Sequence, residues 1–262
     1  MSTSFRTLAI AAARAAGALL RQHFGSNHRF ELKSGFRDLV TEFDRRAEEI
    51  IVEIIQKECP EHSILTEEAS VAPHQDSLYE WIIDPIDGTT NFAHGFPFFS
   101  VSIALYRERQ PVVGVVYDPI HEELFVAEAG AGAWLGERRL RVSEADDLRE
   151  SLLITGFPYD ESLMQKHLRW WGLFSEKTQS LRRMGSSALA LAYLAAGRAD
   201  GYWELDLRAW DMAAGVLLVR EAGGTITDLR GGPLDLSSGE VLASNGRIHQ
   251  QMLQVLNEGD RA

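Results

Sequence analysis

The sequence predicts a mixed chain, α+β in its first half and α/β in a smaller second half, and three observations carry that prediction. Between residues 100 and 135 short apolar stretches follow one another closely, punctuated by Pro111, Asp118-Pro119, Gly130 and Gly136. Closely spaced strands with short turns make an antiparallel sheet. Beyond residue 151 strand-like and helix-like stretches alternate, the pattern of an α/β unit. The character changes over residues 143–151, which places a boundary between an N-terminal unit, 1–145, and a C-terminal unit, 146–262. A length of 262 residues suits one large domain or two intimate ones.

In order, Phe5 to Phe24 is alanine-rich and followed by Gly25, a first helix. Glu31-Leu32-Lys33-Ser34-Gly35 reads as a mobile polar loop. Phe43, Ala47, Ile50, Ile51, Ile54 and Ile55 recur at helical spacing until Pro60, giving the clearest amphipathic helix of the chain. Ser63 to Thr66 reads as a short strand delivering Glu67 and Glu68. Trp81 to Ile83 is a buried strand that should end in a tight turn at Asp84-Pro85-Ile86-Asp87-Gly88. Strands are expected near 101–105, 112–117, 123–128 and 133–135. In the second half strands are expected at 152–155, 180–183, 201–205, 225–228 and 241–244. Helices are expected through Trp170-Trp171, over 186–196, over 211–222 and over 247–256.

Composition bounds the function. There are 26 Lys and Arg against 38 Asp and Glu, a formal charge of −12. That balance gives no general basic surface for nucleic acid or anionic membrane. No apolar run approaches a membrane span, and the first residues lack a signal peptide's layout. Cys59 is the single cysteine, read as a packed thiol, and a cytoplasmic setting is expected.

The stretch Asp84 to Asn91 organises the chemistry. Two carboxylates held three residues apart repel each other unless a cation sits between them. Oxygen-only ligands on a stiff turn favour a hard cation such as Mg²⁺. Thr89, Thr90 and Asn91 suit a helix start, whose free N–H groups make a phosphate seat. The alternative is a surface turn whose carboxylates hydrogen-bond backbone amides.

Asp84-Pro85-Ile86-Asp87-Gly88-Thr89-Thr90-Asn91-Phe92 resembles the signature of the inositol monophosphatase family, Mg²⁺-dependent phosphomonoesterases. Four further stretches match that family in order. Lys33-Ser34 with Asp38-Leu39-Val40-Thr41 and Asp44 resembles its K-S…D-L-V-T…D segment. Glu67-Glu68 resembles its G-E-E-S element, with Thr66 in place of glycine and Ala69 in place of serine. Gly185-Ser186-Ser187-Ala188 resembles its G-S-A/S-A turn. Trp210-Asp211-Met212-Ala213-Ala214-Gly215 resembles its W-D-x-A-A-G signature, with Glu221-Ala222-Gly223-Gly224 downstream.

The resemblance covers essentially the whole chain. It implies a layered helix-and-sheet sugar-phosphatase fold and a homodimer. It also implies a phosphatase with two or three Mg²⁺ held by Glu67, Asp84, Asp87, Asp211 and the carbonyl of Ile86. Thr89 backed by Asp44, together with Lys33, would be catalytic. Gly88 and Thr89 would seat the phosphate, and Asp87, Gly185, Ser186, Ser187, Glu204 and Asp211 would meet the substrate. The residues alone leave alternatives: Asp44 as an exposed helix-start charge, Asp211 as a helix-terminal carboxylate, Lys33 as a loop lysine. Glu204 has the alternative of pairing with Arg208, and His94 is a lesser candidate for lining the site.

Gly185 to Ala188 with Glu204 resembles the inositol monophosphatase branch, so myo-inositol 1-phosphate or a similar small polyol phosphate is the expected substrate. Histidinol phosphate or a broader set of sugar phosphates is the alternative. A non-enzymatic alternative also follows, since some bacterial members act as accessory factors of the transcription machinery. Arg138-Arg139 and Arg182-Arg183 would then mark a partner surface, although solvated arginines explain them as easily.

Overall fold

The computed structural model describes residues 4–26, 30–32, 39–68, 74 and 77–261. In chain order the elements are α1 (Phe5–His23), β1 (Phe30–Leu32), β2 (Leu39–Thr41), α2 (Glu42–Glu58), β3 (Ser63–Thr66), β4 (Tyr79–Asp87), α3 (Thr89–Ala93), β5 (Ser100–Arg107), β6 (Gln110–Asp118), β7 (Glu123–Glu128), β8 (Gly132–Leu135) and β9 (Arg138–Arg139). They continue with β10 (Leu152–Thr155), α4 (Glu161–Lys177), β11 (Ser180–Arg183), α5 (Ser187–Ala195), β12 (Gly201–Glu204), α6 (Ala209–Glu221), β13 (Thr225–Thr227), β14 (Val241–Ser244) and α7 (His249–Arg261).

These elements stack in five layers. The alanine stripe of α1 (Ala9, Ala12, Ala13, Ala16) lets it lie close beside α2, and the pair covers one face of a seven-stranded sheet. That sheet has the order β3-β4-β5-β6-β7-β8-β9. It is antiparallel except for β3, which runs parallel to β4 at the edge. Its other face receives α5 and α6, which pack against each other and separate it from a five-stranded sheet ordered β11-β10-β12-β14-β13. Helices α4 and α7 close the far side around Trp170, Phe174 and Trp203.

Residue size along β5 explains how the layers meet. Val101, Ile103 and Leu105 fill the face toward α1 and α2, whereas Ser100, Ser102 and Ala104 leave room on the other. The small residues admit α6 so closely that Ser102 donates to the Trp210 carbonyl at 3.3 Å and Tyr106 to the Ala213 carbonyl at 3.1 Å. At Gly114 on β6 an added Cβ would stand 2.7 Å from the Ala214 carbonyl oxygen, so only glycine permits this contact. Helix α6 thereby carries its first turn to the end of β4.

Two expectations change. The segment Glu31-Leu32 is not loop but part of β1, which pairs antiparallel with β2. Strand β4 does not stop at Ile83. Its pairing with β5 slips between Asp84, opposite Ser102, and Asp87, opposite Ser100, so β4 bulges by one residue. Pro85 lies in that bulge, where a missing N–H is tolerated. Gly88 then turns the chain at φ 102°, a left-handed conformation that suits glycine.

Candidate active site

The bulge and the following turn floor a cleft of about 560 Å³. Its walls come from the end of β3 (Glu67), from β10 and the residues after it (Thr155 to Asp160), from the start of α5 (Gly185 to Ser187), from β12 (Tyr202, Glu204) and from the start of α6 (Trp210, Asp211). Stretches far apart in sequence are thus joined at the ends of strands and the starts of helices.

Asp84 is 2 % exposed and accepts the Ile86 N–H at 3.0 Å, which pins the bulge. Asp87 points across to the other layer, where it caps α5. Its oxygens accept from the Ser187 N–H at 3.0 Å, the Ala188 N–H at 2.8 Å and the Ser186 hydroxyl. A carboxylate at a helix N-terminus satisfies orphan donors and opposes the helix dipole favourably. Asp211 caps its own helix, α6, by accepting the Arg208 N–H at 2.6 Å. It therefore fills the helix-terminal role the residues alone suggested, while its side chain also reaches the cleft.

Asp44 is not the exposed helix-start charge that remained open from sequence. It is fully buried and accepts from the Thr41 N–H at 2.7 Å and the Thr41 hydroxyl at 2.6 Å in a capping box. Its other oxygen accepts the Thr89 hydroxyl at 2.8 Å, which also lies 3.0 Å from the Ile86 carbonyl. Burial raises the Asp44 carboxyl to about 6, against the pull of the Thr41 and Thr89 hydrogen bonds.

Glu204 is 8 % exposed and accepts from the Ser187 hydroxyl at 3.0 Å and from the Tyr202 hydroxyl. These partners replace the pairing with Arg208 considered from sequence. The backbone of Gly156 lies so near that an added Cβ would overlap the carboxylate. Burial lifts this carboxyl to about 7, with the Tyr202 and Ser187 hydrogen bonds opposing.

The electrostatics identify what the cleft could hold. Burial raises Asp84 well above the ordinary carboxylate range, and the charges of Glu67, Asp87 and Asp211 raise it further. Asp211 is likewise raised well above, by burial first and then by Asp87 and Glu67, despite its Arg208 hydrogen bond. Burial also raises Asp87 over the opposing bonds from α5. Clustered carboxylates that destabilise one another in this way fit hard divalent cations, which prefer oxygen donors. Among the described residues no three His, Cys, Asp or Glu side chains are grouped so as to hold a metal ion as they stand. Both oxygens of Asp87 and one of Asp211 are engaged with helix N–H groups instead.

Of the residues expected from sequence, Glu67, Asp84, Ile86, Asp87, Gly88, Thr89, Gly185, Ser186, Ser187, Glu204 and Asp211 all line this one cleft, with Asp44 directly behind Thr89. Lys33, with Ser34 and Asp38, lies outside the described residues. His94 is exposed and does not line the cleft.

Sequence reasoning missed three residues. Asn91, read only as suiting a helix start, donates to the Phe98 carbonyl at 2.6 Å and the Met184 carbonyl at 2.8 Å, tying α3 to the turn before α5. Tyr202 holds Glu204. Buried Glu48 accepts from the Thr66 hydroxyl and the Glu68 N–H, on either side of Glu67. The row Asp44, Glu48, Ile51, Ile55 carried a signal, since it places two carboxylates on the apolar stripe of α2.

Comparison with known proteins agrees with this architecture. The model of the inositol monophosphatase family matches residues 1–260. An inositol-1-monophosphatase of Synechocystis sp. is 46% identical over 250 residues, covering 95% of this chain and 87% of the relative. A protein of Escherichia coli named Nus factor SuhB is 44% identical over 248 residues, covering 94% and 93%. Among solved structures, the extragenic suppressor protein SuhB from Bartonella henselae superposes with a TM-score of 0.92 at 42% identity, over 96% of this chain and 98% of that one. The inositol monophosphatase from Anabaena (Nostoc) gives a TM-score of 0.88 at 42% identity, over 97% and 95%. The chain belongs to the inositol monophosphatase family.

Proposed function

We propose that this chain is a Mg²⁺-dependent phosphatase that hydrolyses a small phosphate monoester, with myo-inositol 1-phosphate as the first-choice substrate. The observation that carries the reading is the set of buried carboxylates Asp84, Asp87 and Asp211, with Glu67 beside them in one cleft, where neighbouring carboxylate charges raise Asp84 and Asp211 further than burial alone. Glu67, Asp84, Asp87, Asp211 and the Ile86 carbonyl would hold two or three ions. Bound there, divalent cations offset phosphate charge, acidify the attacking water and stabilise the leaving alkoxide.

The chain's own groups do the remaining work. The Thr89 hydroxyl donates to Asp44, so its lone pairs are available to a water entering the cleft. A proton leaving that water passes to Thr89 Oγ1 as the Thr89 proton passes to Asp44. Asp44 is suited to the task because burial places its carboxyl near 6, ionised at neutral pH yet a stronger base than an exposed aspartate. Gly88 and Thr89, at the start of α3, would seat the phosphate, and Lys33 is assigned a catalytic role by resemblance alone. Glu204, fixed by Tyr202 and Ser187, would accept hydrogen bonds from ring hydroxyls of a polyol.

Purified protein assayed on inositol 1-phosphate, histidinol phosphate, fructose 1,6-bisphosphate and a nucleotide 3′-phosphate tests the substrate choice. The highest kcat/KM is expected on inositol 1-phosphate; a clear preference for another member would replace it. A second reading has its own support, because relatives from Pasteurella multocida, Haemophilus influenzae and Escherichia coli, 44–46% identical, carry the name Nus factor SuhB. An accessory role toward the transcription machinery would survive loss of catalysis. Full complementation of the cellular role by Asp211→Asn would favour it, and failure would favour the enzyme.

A further inference from the structure

Glu67 is half-buried and sits just past the end of an edge strand. Strand β3 is four residues long and, among the described residues, lies at the sheet edge and pairs only with β4; its last paired residue there is Thr66, opposite Ile83. The ladder therefore ends one residue before Glu67. A side chain just past the end of a short edge strand frays readily unless something else holds the backbone.

Glu48 is placed to hold it. One oxygen of its carboxylate, Oε2, accepts both from the Thr66 hydroxyl and from the Glu68 N–H, the latter at 2.9 Å. The two donors bracket Glu67, so a single acceptor holds the side chain before it and the backbone N–H after it. Thr66 stands where the family pattern has glycine, and its hydroxyl is one of the two donors.

The position of Glu48 on α2 adds a second argument. Asp44 and Glu48 are four residues apart and share one face of the helix, both buried. Two carboxylates in that relation destabilise a helix when charged, and burial deepens the penalty. Such a pair persists where each member has donors of its own, Asp44 from Thr41 and Thr89, Glu48 from Thr66 and Glu68. Ala47, Ile51 and Ile55 lock the same helix into the core.

We propose that Glu48 is a positioning residue: with Thr66 it clamps the end of β3, so that α2 sets the placement of Glu67 relative to the Asp44–Thr89 pair. The clamp is independent of chemistry, whereas its consequence for cation affinity rests on the metal-dependent reading given above. Groups that orient a ligating side chain typically contribute 10–100-fold to metal affinity.

The test uses the full chain and the variants Glu48→Ala, Glu48→Gln, Thr66→Val and Thr66→Ser. Thr66→Val is isosteric and keeps β3 packed, so it serves if Glu48→Ala fails to fold. Exchange of the Glu68 amide, followed by NMR in chelator, reads the clamp without any metal. Glu48→Ala and Thr66→Val should speed it at least tenfold, while Glu48→Gln and Thr66→Ser, which keep an acceptor or a hydroxyl, stay near wild type. Titration calorimetry with Mg²⁺ should then show a 10–100-fold rise in Kd for the first pair alone. Unchanged Glu68 exchange in Thr66→Val would overturn the proposal, as would a loss in Glu48→Gln equal to that in Glu48→Ala. If exchange responds as expected but wild-type protein takes up no divalent cation, the metal-dependent reading falls and the clamp stands.

Discussion

His167 offers a quantitative test of how the layers pack. It lies on α4, fully buried, with its ring 4.7 Å from that of Phe157 and 6.2 Å from that of Trp203. Neither ring nitrogen has a hydrogen-bond partner. Charging it in this apolar setting is unfavourable, and burial lowers its imidazole from an ordinary 6.5 to about 4. The unfolded chain takes up a proton on His167 as pH falls through 6.5, but the folded one does not until about pH 4. The contribution is thus fully present above pH 6.5 and is lost progressively toward pH 4. Over the interval from pH 7 to 4.5 it comes to about 2–3 kcal/mol. Buried carboxylates such as Asp44 act in the opposite sense, because their raised values stabilise the fold on acidification. The informative quantity is therefore the difference between wild type and His167→Leu, each unfolded in urea with chelator present at pH 7, 5.5 and 4.5. Leucine removes the titration and the unpaired nitrogens while keeping the volume filled. The variant should equal or exceed wild type at pH 7 and gain on it by about 2–3 kcal/mol at pH 4.5. Parallel stability profiles would show that His167 is not a neutral, desolvated ring and that the α4 layer is looser than described.

The site yields four further predictions. Asp211→Asn should abolish turnover without lowering the melting temperature of metal-free protein, because an amide oxygen still caps Arg208 N–H and one repelling charge is gone; a melting temperature several degrees lower would contradict this. Asp87→Asn should also be inactive but less stable by about 1–2 kcal/mol in urea titration, since Ser187 N–H and Ala188 N–H bond different oxygens and the new NH₂ must face one of them. Thr89→Ala or Asp44→Asn should lower kcat by roughly 10²–10⁴-fold in steady-state assays, and near-native kcat in either would remove the pair from proton transfer. Glu204→Gln should reduce kcat/KM on inositol 1-phosphate more than on a simple aryl phosphate, because only the former has hydroxyls to satisfy a buried acceptor; equal losses would take Glu204 out of substrate recognition.

Most of the regular structure was legible because its apolar periodicity was uninterrupted. Strands at Ser63–Thr66, Leu152–Thr155, Ser180–Arg183 and Val241–Ser244 fall where the sequence placed them. The run from Trp81 was cut short because Pro85 and the two aspartates look like a turn. A bulge at a strand end accommodates all three, and local sequence does not distinguish the two. Strand β1 was missed because three residues that pair only with β2 leave no periodic signal. At the site, residues within a motif could be read, whereas their partners could not. Asp44 looked exposed because its burial depends on Thr89, 45 residues away, and Asp87 looked like a turn residue because α5 arrives from 100 residues downstream. Glu48 belongs to no motif and acts only through the Thr66 hydroxyl and the Glu68 N–H, which the fold brings to it.

The central claim is that buried carboxylates from distant stretches act together as a cation-dependent hydrolytic centre. Phosphate release from myo-inositol 1-phosphate by chelator-stripped protein, followed as Mg²⁺ is restored, tests it most directly. Turnover should be absent in chelator, return with Mg²⁺, and fail to return at any Mg²⁺ concentration in Asp211→Asn. Full turnover in excess chelator, or wild-type kcat in Asp211→Asn, would contradict the account.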